Sequence, residues 1–190
     1  MGRWEPDAAG RLREAALELY VAQGYEQTTV AEIAERAGVT ARTFFRHFAD
    51  KREVLFGGSE ELQARMTAAV EAAPPEAGPL DAVAAALDAA ASMIGGDHQR
   101  SKRRQAVLMA NPELRERELM KMARLGDTLA TVLGRRGGID DDDARLVAEA
   151  GIAAFRIGFE RWVGGPRSAD LAAVLEEAWG RLRGLVGDRP

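Results

Sequence analysis

The residues with the clearest chemical potential lie between Arg36 and Arg52. In that stretch Arg36, Arg42, Arg46, Lys51 and Arg52 stand against a single acid, Asp50, although the whole chain is acidic with a formal net charge of −4. A local cationic patch on an acidic protein suits a polyanionic partner whose non-specific attraction is kept modest. Within the patch, Thr40, Ala41, Arg42, Thr43 and Arg46 fall on the outward face of one short helix. Short side chains at the start of such a helix let the backbone come close to a groove. An arginine beside them can bond guanine through two parallel hydrogen bonds. This is the chemistry of reading base edges in a DNA major groove.

Three helices must position that face. Thr29-Val30-Ala31-Glu32 has the spacing of a capping box and predicts a helix from Thr29 to Ala37. Gly38 supplies the positive φ of a tight helix-to-helix turn. The reading helix then runs from Thr40 to about His47. Val30, Ile33, Ala34, Ala37, Val39 and Phe48 supply the apolar surfaces that hold both helices against a first one. That first helix runs from Pro6 or Asp7 to Gln23 and carries Leu12, Ala15, Ala16, Leu19 and Tyr20 on one face, with Gly24 as its stop. Asp50 is expected to cap a long fourth helix from Lys51 towards Ala73. Its first amides, like those at Thr29, would point at phosphates.

After the breaks at Pro74-Pro75 and Gly78-Pro79, five more helices are expected near 80–95, 97–110, 112–134, 141–164 and 168–186. Pro112 sits just inside one helix start, and Asp140 to Asp143 open another where negative charge suits the helix dipole. The expected fold is all-α, with about nine helices. A three-helix head over 1–56 is joined by a long helix to a helical body over 57–190.

The run Thr28-Thr29-Val30-Ala31-Glu32-Ile33-Ala34-Glu35-Arg36-Ala37-Gly38-Val39-Thr40-Ala41-Arg42-Thr43-Phe44-Phe45-Arg46-His47-Phe48-Ala49-Asp50-Lys51, with Leu55 after it, resembles the TetR family of transcriptional regulators. The resemblance implies a repressor that binds a double-stranded DNA operator as a homodimer and is released by a small-molecule effector. It places Thr28 and Thr29 on phosphate at the start of helix two. It places Thr40, Ala41, Arg42 and Thr43 along base edges or nearby phosphates, and His47 and Lys51 on backbone phosphates. Arg36 and Arg46 belong to the same cationic surface. Arg42 stands where glycine is frequent in the family. Phe45 stands where tyrosine is frequent and is expected to act by packing.

The body offers two further expectations. Ala148, Ala150, Gly151, Ala153, Ala154, Ala172 and Ala173 let helices approach closely, either across a dimer seam or within one chain. Met66, Met93, Met109, Met120, Phe155, Phe159 and Trp162 are candidates for lining an effector site, because methionine adapts to varied apolar ligands. A stripe of this kind also serves as plain core. The stretch Arg103 to Arg115, with Phe155 to Trp162, resembles TetR members that bind acyl-CoA-like ligands. Arg103 and Arg104 are then either phosphate contacts or a solvated basic face.

Other classes are poorly supplied. His47 and His98 are the only histidines and cysteine is absent, which leaves no metal-spaced pair and no disulfide framework. No phosphate-cradling glycine loop or nucleophile elbow is present. No enzyme, cofactor or metal is therefore expected. A helical adaptor without DNA binding remains the competing class, but it has no use for the Arg36–Arg52 cluster. The first seven residues lack the apolar run of a signal peptide, and no segment reaches the ~20 apolar residues of a membrane span. A cytoplasmic protein with no membrane partner is expected.

Overall fold

Asp7 starts the first helix by accepting a hydrogen bond from the Gly10 amide at 2.8 Å. In the computed structural model, residues 7–187 are described, apart from the side chain of Val186. Pro6, the other expected start, lies outside them, as does most of the N-terminal segment read for a signal peptide. Helix α1 spans Ala8–Gln23 and ends at Gly24, whose φ of 92° few other residues adopt. Then follow α2 (Val30–Arg36), α3 (Ala41–His47), a 3-10 turn over Glu53–Phe56, and α4 (Ser59–Ala72). The remaining helices are α5 (Pro79–Ile94), α6 (His98–Ala110), α7 (Pro112–Arg136), α8 (Asp141–Gly164) and α9 (Leu171–Gly187). Among the described residues there are nine α-helices and no strand, as the all-α reading requires.

One expected element is corrected. Helix four does not begin at Lys51. Asp50 accepts from the amides of Arg52 at 2.8 Å and Glu53 at 3.1 Å, so it caps the 3-10 turn instead. Gly57 and Gly58 follow that turn. Each glycine costs about 1 kcal/mol inside a helix, so the helix resumes only at Ser59.

The chain divides into two packing units. The first comprises the chain up to Ser59 together with Arg103–Glu118. The body segment expected from the sequence thus contributes the end of α6 and the start of α7 to the unit of the head. Its core holds Leu12, Leu17, Ile33 and Phe44 from the three N-terminal helices, joined by Val107, Leu108 and Leu114. Burying each such side chain stabilises by roughly 1.5–3 kcal/mol. Polar ties close the same corner. Arg103 pairs with Glu14 at 2.9 Å, Arg104 with Glu118 at 2.9 Å, and Arg117 with Glu53. Arg104 Nε also donates to the Leu55 carbonyl at 2.8 Å.

The second unit comprises Glu60–Lys102 and Leu119 onwards. There α5, α8 and α9 pack against one another, and small residues set the approach. A Cβ on Gly151 would sit 2.6 Å from Val83 Cγ1, and one on Gly158 would sit 2.5 Å from Leu175 Cδ2. Ala148 and Ala154 are buried in the same core. Trp162 and Trp179 satisfy their buried indole N–H groups on the carbonyls of Ala169 and Leu80. Arg136 gathers the carbonyls of Val70, Ala73 and Pro74 at 2.8–2.9 Å, which closes the open end of α4.

Candidate nucleic-acid interface

The two short helices of the head are fixed at their starts by side-chain caps. Thr29 accepts from the Glu32 amide at 3.3 Å, and the Glu32 carboxylate accepts in return from the Thr29 amide at 2.7 Å. These hydrogen bonds, from the Thr29 amide first, then its hydroxyl and the Gln23 amide, hold the Glu32 carboxyl below its usual value. Thr40 caps α3 by accepting from the Thr43 amide at 3.2 Å. Gly38, with φ 69°, makes the turn between the helices.

Behind α3, Phe44 is fully buried and Phe48 nearly so, with ring centroids 5.7 Å apart. In front, Thr40, Ala41, Arg42, Phe45, Arg46 and His47 are exposed, and Thr43 is half-buried. Arg42 and Arg46 have no side-chain partner among the described residues. They are two exposed donors on one helix face. Phe45 is 58% exposed and touches the core only edge-on through Phe44, at 5.4 Å between centroids. α3 turns that ring outwards, on the exposed side of the helix that also carries Arg42 and Arg46.

The rest of the cationic stretch is largely spoken for. Arg36 binds the Glu18 carboxylate through Nε at 3.0 Å and Nη2 at 2.8 Å. Arg52 binds Asp50 at 2.6 Å. Burial alone would raise the Asp50 carboxyl, but the Arg52 side chain and amide outweigh it and hold the group below its usual value. Lys51 Nζ donates to the carbonyls of Tyr25, Glu26 and Thr28 at 2.9–3.1 Å. Thr28 is only 1% exposed, and its hydroxyl donates to the Gly24 carbonyl at 2.8 Å. Its amide is also taken, by the Tyr25 carbonyl. The expected phosphate contact from Thr28 is therefore corrected: both its donors are used inside the head. Thr29 stays exposed at the start of α2.

In the second unit, Met66, Phe155 and Trp162 are buried in one apolar cluster, with Met93 and Phe159 packed against it. Phe159 stacks near Phe155 at 6.0 Å and near Trp162 at 5.8 Å. Met109 and Met120 are 47% and 52% exposed and lie outside that cluster, which removes them as lining of an interior site. Arg103 and Arg104 are not a free basic face, because both are paired within the first unit.

Four partners are not evident from residue spacing alone: Glu18, Tyr20, Tyr25 and His98. Glu18 lies one turn from Glu14 on the polar side of α1, where an acid facing the cationic stretch was a legible signal. Tyr20 was assigned to the core but not to the hydrogen bond it gives the Lys51 carbonyl at 2.6 Å. His98 stands between Asp97 and Gln99 in the sequence, yet it is buried, with Nε2 2.9 Å from the Trp162 carbonyl and Nδ1 without a hydrogen-bond partner among the described residues. No helix among the described residues is long and apolar enough to cross a membrane.

Comparison with known proteins agrees with this geometry. Residues 12–56 match the family model of bacterial regulatory proteins of the tetR family, and residues 77–186 match the MftR C-terminal domain. The HTH-type transcriptional regulator TcmR of Streptomyces glaucescens is 36% identical over 142 residues, which is 71% of this chain and 63% of the relative. The putative mycofactocin biosynthesis transcriptional regulator MftR of Mycobacterium tuberculosis is 26% identical over 189 residues, 98% of this chain and 93% of the relative. FadR of Bacillus subtilis, solved in complex with stearoyl-CoA, has the same fold, with a TM-score of 0.61 at 23% identity over 91% of this chain and 96% of that one. The chain belongs to the TetR family of DNA-binding transcriptional regulators and carries a C-terminal domain of the MftR type.

Proposed function

We propose that the chain is a repressor that binds a near-palindromic DNA operator as a homodimer and is released by a small apolar effector. The observation that carries this reading is the exposed row on α3. Arg42, Phe45 and Arg46 stand clear of the core while Phe44 and Phe48 anchor the helix from behind. In this reading Arg42 and Arg46 bond base edges or phosphates. Thr40, Ala41 and Thr43 allow close approach, and Phe45 makes apolar contact with a thymine methyl. Thr29 and His47 contact the backbone. Arg36 and Thr28 support this surface from within the head.

Two heads on one duplex require a two-fold seam. Leu146, Ile157 and Leu185 on α8 and α9 are 51–81% exposed and give the apolar material for one. The effector lodges among Met66, Met93, Phe155, Phe159 and Trp162, where His98 Nδ1 offers a polar contact to orient it. The likeness to a stearoyl-CoA-bound regulator makes a long-chain acyl thioester the first ligand to try. Release follows if the ligand binds the DNA-incompetent arrangement better than the competent one. Such a protein works in the cytoplasm and needs no catalytic activity.

The test combines a sedimentation measurement of the free protein with operator titrations, with and without stearoyl-CoA. The expected result is a dimer whose operator affinity falls when the thioester is present. A monomer that holds DNA with no dependence on salt or sequence would contradict the reading.

A further inference from the structure

We infer that Lys51 is a positioning residue for the DNA-reading surface and not a phosphate ligand. The inference rests on the DNA-reading function proposed above. An ammonium group has three protons. Those of Lys51 are directed at the carbonyls of Tyr25 at 2.9 Å, Glu26 at 3.1 Å and Thr28 at 3.1 Å. No proton is left for a phosphate oxygen. The same group stands 4.4 Å from the centroid of the Tyr25 ring, a further favourable contact for a cation. The backbone of Lys51 is held too, since its carbonyl accepts from the buried Tyr20 hydroxyl at 2.6 Å. Lys51 therefore ties three parts of the head together: α1 through Tyr20, the loop from Tyr25 to Thr28, and the segment that follows α3.

The loop explains why this matters for DNA. Thr28 immediately precedes Thr29, the capping residue of α2. Holding the Thr28 carbonyl fixes the direction in which the chain enters α2, and with it the position of exposed Thr29. Without the ammonium group, three inward-pointing carbonyls lose a charged donor together, and the loop must rearrange to find water. A guanidinium cannot replace it. Its planar fork suits paired oxygens on one group, while a compact tetrahedral donor suits three carbonyls converging on a point.

The experiment uses the full chain and an operator selected from random DNA with the wild-type protein. Lys51→Arg, Lys51→Met and Lys51→Gln are titrated with that operator across a salt series, at a temperature where circular dichroism shows each variant folded. Both Lys51→Arg and Lys51→Met are expected to lose about tenfold or more in affinity, the consequence of losing one well-made charged hydrogen bond set. The slope of log affinity against log salt stays at the wild-type value. Lys51→Gln keeps two donors, is expected to fall between wild type and Lys51→Met, and carries the test if Lys51→Met does not fold. The inference is overturned if Lys51→Arg binds like wild type while Lys51→Met or Lys51→Gln lowers the slope by about 0.9, the signature of one lost phosphate contact. It is equally overturned if the variants melt earlier but bind the operator unchanged. Failure of the wild-type chain to select any sequence instead sinks the DNA-reading function itself.

Discussion

The Arg36 guanidinium grips the Glu18 carboxylate through two hydrogen bonds, Nε at 3.0 Å and Nη2 at 2.8 Å. Arg36 is therefore paired from α1 and is expected to add little to the attraction for DNA. Both side chains keep substantial exposure, so the pair contributes at most about 1 kcal/mol to stability. Arg36→Ala is expected to leave operator affinity and its salt slope close to wild type. Competition titrations at two salt concentrations check this, and a slope reduced by about 0.9 would show that Arg36 meets a phosphate after all.

Arg42 is expected to behave differently, because no partner among the described residues holds it. Arg42→Ala is predicted to cost roughly 1–3 kcal/mol at one base pair of the operator and little on random DNA. The check is a titration on the operator and on single-base variants of it. Equal losses on operator and random sequence would place Arg42 on the backbone.

Phe45 gives the complementary case of an exposed ring. Phe45→Ala should change unfolding free energy by no more than about 0.5 kcal/mol, since little of the ring is buried. Operator affinity should fall. Loss of stability without loss of affinity would return the residue to a packing role.

The Thr29–Glu32 cap links stability to pH. Thr29→Ala is expected to destabilise the head by about 1 kcal/mol at neutral pH. Glu32 titrates below its ordinary 4.5 because the folded chain hydrogen-bonds the carboxylate. Its contribution is thus fully present above that value and is lost as pH falls through the lowered native one. Thermal melts taken between about pH 6 and pH 3 should show wild-type stability falling more steeply than that of Glu32→Gln, which has no carboxyl to titrate. Parallel curves would remove the cap from the account.

In the body, Gly151→Ala is predicted to destabilise by roughly 1–3 kcal/mol, because the new methyl meets Val83, a side chain stiff at χ1. Chemical denaturation measures this directly, and an unchanged midpoint would mean that α5 and α8 can separate freely.

Much of this arrangement was legible in the residues. Caps, glycine turns and apolar spacing are local, and they located α2, α3, α5 and α8 closely. The small residues of α8 were also visible, but not their partner, because one chain's periodicity does not say whether a helix meets its own neighbours or a second copy. Gly151 and Ala148 proved to face the chain's own core. The cationic patch was the least legible feature. Charge count reports five basic residues, whereas geometry leaves Arg42 and Arg46 exposed without a partner among the described residues and commits Arg36, Lys51 and Arg52 to partners far away or close by in sequence. Met109 and Met120 were misplaced for a related reason, since composition alone cannot say which side of a helix faces inward.

The exposed row on α3 is expected to read a DNA sequence in two symmetric copies. Selection of bound sequences from random double-stranded DNA tests it most directly. The expected result is enrichment of a near-palindrome whose half-sites lie about 10 base pairs apart or a multiple of that, and loss of the enriched bases when Arg42 and Arg46 are both replaced by alanine. A pool that emerges with no consensus, or a consensus unchanged by that double substitution, would contradict it.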